Sequence, residues 1–453
     1  MALRDTVLKR MQEDKIEYLL AQFVDIHGSP KVKMVPLEHF DDVIDVGAGF
    51  AGGAVWGLGQ GPHSHDMLAR IDIDSYTPLP WKDGVARFAA DLYVDDEPYS
   101  NCPRVNLKKV LGQLKESGYI FNLGVEPEHF LVTRNPDGGI SVWDPNGVDG
   151  LEKPCYDYKG ISGAMDYLKD MMDGMNKLGW DCYQSDHEDA NGQYEINFVY
   201  SDALTTIDRF TFFKMMANQI AQKYGAIATF MPKPFSDRTG SAAHIHYHMA
   251  DAKTGENVFL DENDRRGLGL SEMAYQFIAG IMDHALALCS ITSPTVNCYK
   301  RLQIGSTSLH GSASGYTWTP AFVSYGDNNR TQMIRTAGPG HLEDRTISAG
   351  CNPYLAIAAY ISAGLDGIRR KLDPGEPFLG NLYALGLDEI IRRGIRVFPQ
   401  SLQEALDELE KDDVVLQSLG AIGPDFVDLK RQEWKDYHRQ VSAWELNRYL
   451  TFF

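Results

Sequence analysis

At 453 residues the chain is longer than one hydrophobic core usually serves, and its 43% hydrophobic content is that of an ordinary globular protein, so two domains are expected. The formal charge of −19 works against nucleic acid and anionic membrane surfaces, so a polyanionic ligand would have to be held by local arginines and metals. Cys102, Cys155, Cys182, Cys289, Cys298 and Cys351 form neither a C-x-x-C pair nor a disulfide framework, and no signal core or segment of transmembrane length is visible, so a soluble cytoplasmic protein is expected.

In chain order, a short helix precedes a strand over Ile16 to Val24, a turn at Asp25-Ile26-His27-Gly28 and a second strand from Lys31 to Val35. Val85 to Val94 is another apolar strand. Asp95-Asp96-Glu97-Pro98 and Cys102-Pro103 then punctuate the chain before a helix over Leu107 to Glu116, which places a domain boundary near Arg104. Downstream, helices at Ser162 to Leu178, Ala203 to Tyr224, Ser271 to Leu288 and Pro353 to Lys371 alternate with short strands that carry most of the unusual polar residues. No internal repeat is visible.

Those polar residues fall into blocks. In Gly124-Val125-Glu126-Pro127-Glu128 the two acids are two apart, so an extended strand projects them to one face; His244 and His246 in Ser241-Ala242-Ala243-His244-Ile245-His246 have the same spacing. Paired carboxylates with no cysteine favour magnesium or manganese over zinc or iron–sulfur. Such pairs also arise by chance on solvated strands, so their coincidence with further blocks carries the argument. In Asp186-His187-Glu188-Asp189-Ala190-Asn191-Gly192-Gln193-Tyr194-Glu195 the Asn-Gly turn brings Glu188 and Glu195 together. Arg301, Arg330, Arg335 and Arg345 follow, a series suited to carboxylate and phosphate. No P-loop is present, and Gly57-Leu58-Gly59-Gln60-Gly61 lacks the context of a dinucleotide fingerprint, so nucleotide binding falls to metals and arginines.

With Met231-Pro232-Lys233-Pro234-Phe235, these blocks resemble the glutamine synthetase superfamily over nearly the whole chain, from Phe23-Val24-Asp25 to Trp444-Glu445-Leu446-Asn447-Arg448-Tyr449. The resemblance implies an α+β fold: an N-terminal β-grasp domain (1–104) and a catalytic domain (105–453) built around a central antiparallel sheet flanked by helices. It implies an ATP-dependent carbon–nitrogen ligase acting on glutamate and an amine, with two or more magnesium or manganese ions and active sites shared between subunits of a homododecamer. By resemblance, Glu128, Glu188 and Glu195 hold one ion, and Glu126, His244 and Glu343 the other. His246 contacts the transferring phosphoryl group, and Gly240, Arg301, Glu128, His246 and Arg345 surround glutamate. Glu126, His246, His248, Arg330, Arg335 and His341 face ATP, and Arg330, Glu188, His246 and Arg345 are the catalytic candidates.

The chain departs from the family's common pattern at the amine. The family's F-D-G-S-S segment reads Phe50-Ala51-Gly52-Gly53-Ala54 here, and a second acidic position is matched by Trp318 in Tyr316-Thr317-Trp318-Thr319-Pro320. Loss of both acids fits an alkylamine better than ammonium, since an apolar group would leave a buried carboxylate without a donor. The amine pocket is expected from Ala51, Glu188, Trp318, Tyr156 and Asp186, the base being one of Glu188, Asp186, Tyr156 and Tyr158. Pro154-Cys155-Tyr156-Asp157-Tyr158-Lys159-Gly160 and the Asp186 block resemble the γ-glutamylmethylamide synthetase branch. Ligation of ammonia, and a non-catalytic relative, are the alternatives. His341 replaces the arginine usual for the ATP phosphates and His248 a small hydroxyl residue. Tyr383 sits in a segment resembling an adenylylation loop whose flanks differ, and that regulation is not expected.

Overall fold

The computed structural model describes residues 2–304 and 318–453. After a helix at Ala2–Glu13, β1 (Tyr18–Val24) and β2 (Pro30–Pro36) form an antiparallel hairpin, followed by β3 (Ala48–Phe50), β4 (Met67–Ile71), β5 (Thr77–Pro78), β6 (Val85–Val94) and β7 (Glu97–Pro98). Among the described residues they make a seven-stranded sheet of order β2-β1-β6-β4-β3, with β5 and β7 on β6. β6 is central and pairs in parallel with β1; its first eight residues are buried, which is why it reads as an unbroken apolar run. This mixed sheet with its short helices is grasp-like.

The second sheet is built on a long strand, β8 (Tyr119–Arg134). Around it lie β9 (Ile140–Val142), β10 (Cys182–His187), β11 (Gln193–Phe198), β12 (Ser201–Asp202), β13 (Ile227–Thr229), β14 (Ala243–Asp251), β15 (Tyr325–Gly326), β16 (Ile334–Gly338) and β17 (His341–Asp344). The order is β10-β11-β8-β14-β17-β16-β15, with β9, β12 and β13 also on β8. The expected antiparallel sheet is corrected at one edge, where β15 runs parallel to β16.

Helices at Ala203–Lys223, Glu272–Asp283 and Pro353–Arg370 back this sheet. The last two approach closely through Gly280 and Gly367, where a Cβ would lie 2.3 Å from Ala363 O and 2.1 Å from Gln276 O. Two helix expectations are corrected. Ser162 to Leu178 is two helices, Tyr158–Gly163 and Met165–Lys177, and Ser271 to Leu288 bends by 75° between Glu272–Asp283 and Ala285–Thr292. At that bend His284 lies between Asp366 (3.0 Å) and Asp412 (2.6 Å). Among the described residues no single helix is long and apolar enough to cross a membrane.

Arg104, where a boundary is expected, ties the first sheet to the helix Ala203–Lys223. Its guanidinium pairs with Asp72 (2.9 Å), Asp91 (2.7 Å) and Asp208 (2.8 Å), and Tyr354 donates to the same Asp208 at 2.7 Å. Removing Arg104 leaves buried carboxylates unpaired, so Arg104→Ala is expected to cost about 3–5 kcal/mol. Guanidinium unfolding monitored by tryptophan fluorescence measures this, and an unchanged midpoint would contradict it.

Candidate active site

Strand register, rather than spacing alone, assembles the polar residues. Glu128 on β8 is opposite Glu195 on β11, which is opposite Asp186 on β10. Glu126 is opposite His244 on β14, while His246 faces Glu343 on β17, and Glu343 faces Arg335 on β16. Strand alternation then puts Glu126, Glu128, His244 and His246 on one face of the sheet. Gly192, at φ +78°, makes the turn that returns Glu195 beside Glu188, and the Glu188 amide donates to Gln193 O at 2.9 Å.

The resulting cleft, about 430 Å³, is lined by Glu126, Glu128, Tyr156, Asp186, Glu188, Glu195, Gly240, His244, Arg301, Trp318, Arg330 and Arg345. A neighbouring chamber of about 470 Å³ shares Glu126 and is lined by His246, His248 and His341 with Tyr183, Tyr200 and Asn257. His246 Nδ1 and His341 Nε2 are 2.8 Å apart, and Asn122 meets His248 at 2.9 Å. Arg335 lies behind them, its Nη1 2.8 Å from Glu343 Oε2.

Glu128 accepts from the Gln193 side chain (3.0 Å) and the Ala242 amide (2.9 Å), and Glu195 from Asn197 (2.9 Å). Glu343 accepts from Arg345 at 2.7 Å. These bonds orient carboxylates whose charges repel. Burial and the neighbouring Glu128 push Glu188 up to about 8, and burial with Glu126, Glu188 and Glu128 holds Glu195 well above the carboxylate range. Burial also opposes ionisation of Glu126, but hydrogen bonds and charge from His244 and His246 outweigh it and hold that carboxyl low. Burial, then His246 and His248, push His341 down to about 4.

Among the described residues three groups could hold a cation, each with ligand atoms within 4.8 Å of one another: Glu128, Glu188 and Glu195; Glu126, Glu195 and His244; Glu126, His246 and Glu343. His244 Nδ1 also lies 3.7 Å from both Glu126 and Glu343, so the sequence-expected trio is in reach as well. The donor set fits a divalent ion. It is oxygen-rich, it leaves mutually repelling carboxylates in want of positive charge, and it sets His246 Nε2 3.1 Å from Glu126 Oε1. Cys155 also lines the cleft, and burial beside Glu188 pushes its thiol up to about 12.

Arg301 and Arg345 line the same cleft: Arg301 donates to the Thr346 and Arg345 carbonyls at 3.0 and 2.8 Å, and Arg345 reaches Trp318 O at 3.3 Å. Gly240 packs so closely that a Cβ would be 2.4 Å from Pro232 O, which explains glycine there. Tyr383 turns its hydroxyl onto Thr319 O (3.3 Å) and Arg330 O (3.4 Å).

Two expected amine-side residues stand apart. Ala51 is exposed and is not among the residues lining this cleft, and Tyr158 points to solvent at 74% exposure. Tyr316 and Thr317 of the Trp318 block lie outside the described residues. Sequence reasoning passed over Gln193, whose amide joins Glu128 to Gly240 O and Ser241 Oγ, although it stands in the quoted acidic block. It also passed over Cys155, which stands in the Pro154 to Gly160 block, and Thr239, which stands in none.

Carboxylates, histidine and arginines gathered in one cleft are the equipment of an enzyme that activates a carboxylate with a phosphoryl donor. Residues 100–449 match the family model of the glutamine synthetase catalytic domain. The chain is 48% identical over 444 residues to the glutamate–methylamine ligase of Methyloversatilis universalis, covering 98% of both chains, and 40% identical over 435 residues to the glutamine synthetase of Rhizobium leguminosarum bv. phaseoli, covering 96% of both. A solved structure described as a GmaS/ADP complex superposes with a TM-score of 0.90 at 40% identity, covering 98% of this chain and 99% of that one. The chain therefore belongs to the glutamine synthetase family, and it is a ligase of that type.

Proposed function

We propose that this ligase joins the γ-carboxylate of glutamate to methylamine, using ATP and releasing ADP and phosphate. The observation that carries the amine assignment is the composition of the cleft around Glu188, where Tyr156 and Cys155 stand beside the carboxyls of Glu188 and Asp186 and Trp318 lines the same cleft. The full-length likeness to a glutamate–methylamine ligase supports the same reading.

A carboxylate acylates poorly until its oxygen is phosphorylated. In the proposed sequence a γ-carboxylate oxygen attacks the terminal phosphorus of ATP and ADP leaves. The amine nitrogen then attacks the γ-carbonyl carbon of γ-glutamyl phosphate, phosphate leaves, and the amine proton passes to Glu188, Asp186 or Tyr156. Glu128, Glu188 and Glu195, with Glu126, His244 and Glu343, would hold magnesium or manganese, which supplies positive charge against the phosphates. Gly240 and Arg301 bind glutamate, Arg345 orients its γ-carboxylate, His246 and Arg330 contact the transferring group, and Arg335, His248 and His341 hold the nucleotide end. Closure against water protects the acyl phosphate.

We assign residues 1–104 and 105–453 to the two domains and infer a homododecamer in which Ala51 of one subunit completes the cleft of the next. Ala51 lies outside its own cleft, and exposed Trp444, Leu450 and Phe452 near the C-terminus offer apolar surface for assembly. An active monomer in analytical ultracentrifugation would end that assignment.

Phosphate release from glutamate and ATP, compared for ammonium, methylamine, ethylamine and putrescine, tests the substrate. Methylamine is expected to have the highest kcat/KM, exceeding ammonium by roughly tenfold to a hundredfold, the worth of one removed carboxylate contact of about 1.5–3 kcal/mol. Ala51→Asp is expected to move the ratio back toward ammonium. A wild type that prefers ammonium, with a ratio unmoved by Ala51→Asp, would make the protein a glutamine synthetase.

A further inference from the structure

His187 is wholly buried next to Glu188 and is not among the residues lining the cleft. Its Nε2 lies 3.0 Å from Asp149 Oδ1 and its Nδ1 lies 2.8 Å from Glu188 O. Asp149 is itself buried and accepts from the Gly192 amide at 2.5 Å. Above the ring sits Gly160, where a Cβ would be 2.2 Å from His187 Cδ2, and Tyr194 packs edge-on at 5.2 Å. The carbonyl of His187 accepts from the Tyr156 amide at 3.0 Å. Three segments thus meet at one imidazole: the loop carrying Asp149, the stretch from Tyr156 to Gly160, and the turn after Glu188.

Tyr156 has φ +62°, a left-handed conformation that costs an aromatic residue energy and persists only where its surroundings hold it. The strained residue and its neighbour Cys155 are the part of this stretch that lines the cleft, as does Trp318, which is also left-handed at φ +53°.

We propose that Asp149, His187 and Gly160 form a lock that positions the Cys155–Tyr156 arm as the amine-facing wall of the cleft, making them specificity-determining positioning residues. The proposal rests on the amine assignment above. It locates selectivity in a packed knot behind the wall as well as in the wall itself. Glutamate and ATP are assigned to the arginine and histidine parts of the site, so disturbing the knot is expected to change the amine KM more than theirs, while Asp149 also holds the Gly192 turn between Glu188 and Glu195.

Full-length Gly160→Ala, Asp149→Ala and Asp149→Asn, assayed by phosphate release with ammonium and with methylamine, test it. Gly160→Ala and Asp149→Ala are expected to raise the amine KM roughly tenfold, as a small misplacement of a binding wall does, with KM for glutamate and ATP within about twofold of wild type. Asp149→Asn can still accept from Gly192 and donate to His187, so it is expected to recover most of the loss. Combining Gly160→Ala with Tyr156→Ala should add little to Tyr156→Ala alone, because both act through one wall. The lock is overturned if all three KM values and the thermal midpoint move together, if the amine KM stays at the wild-type value, or if the double variant is fully additive. A wild type that prefers ammonium defeats the methylamine assignment separately, since the lock is then judged on the ammonium KM.

Discussion

Glu128→Ala is expected to lower kcat/KM by about three orders of magnitude, or about 4 kcal/mol, while the protein stays folded. Glu128 is the carboxylate nearest the middle of the site. It is opposite Glu195, its Oε1 is 3.7 Å from His244 Nε2, and two hydrogen bonds hold its Oε2, which fixes the carboxylate in the cleft it lines. Removing it takes away one ligand of the proposed Glu128, Glu188 and Glu195 group and one support of the glutamate end. Folding is expected to survive because the deletion also relieves repulsion within a cluster of buried acids, and the strand pairing of β8 depends on backbone bonds. Phosphate release reads the activity, and calorimetry reads the fold. Activity within tenfold of wild type, or full wild-type activity after exhaustive chelation, would remove the metal assignment.

Arg345→Ala is expected to reduce kcat by about 10²–10³, the scale of losing one preorganised charge at a developing anion. Arg345 is 4% exposed, holds Glu343 at 2.7 Å and reaches Trp318 O at 3.3 Å, so its fork ties the acidic strand to the segment that carries Trp318. Arg345→Lys is expected to rescue little, because one ammonium cannot span both contacts while presenting a flat face to a carboxylate. Single-turnover formation of ADP with and without amine separates the phosphorylation step from the later attack, and the loss belongs to the first. A lysine variant with wild-type kcat would show that charge alone suffices and that the fork has no role.

Local signals were legible in the sequence wherever a short-range period governs the structure. Glu126 with Glu128 and His244 with His246 share a face because strands alternate, and Asn191-Gly192 turns the chain because only glycine enters the left-handed region without strain. Helices such as Ala203–Lys223 and Pro353–Arg370 were legible to within a residue at their ends. The expected helix from Ser271 to Leu288 was not, because apolar periodicity continues through the bend and the anchors of His284, Asp366 and Asp412, lie far away in sequence.

What the sequence by itself determined is therefore the family and the inventory: carboxylates, histidines and arginines in blocks, with no acid at Ala51 and none at Trp318. Only the tertiary structure decided which of them meet. That His246 faces Glu343, that Glu195 comes between Glu128 and Asp186, and that His187 turns inward to Asp149 are consequences of register between distant strands and of loops packed behind them. Spacing along a strand sets the face of each side chain, but the partner across the ladder is chosen by burial of the whole sheet, which no local pattern contains.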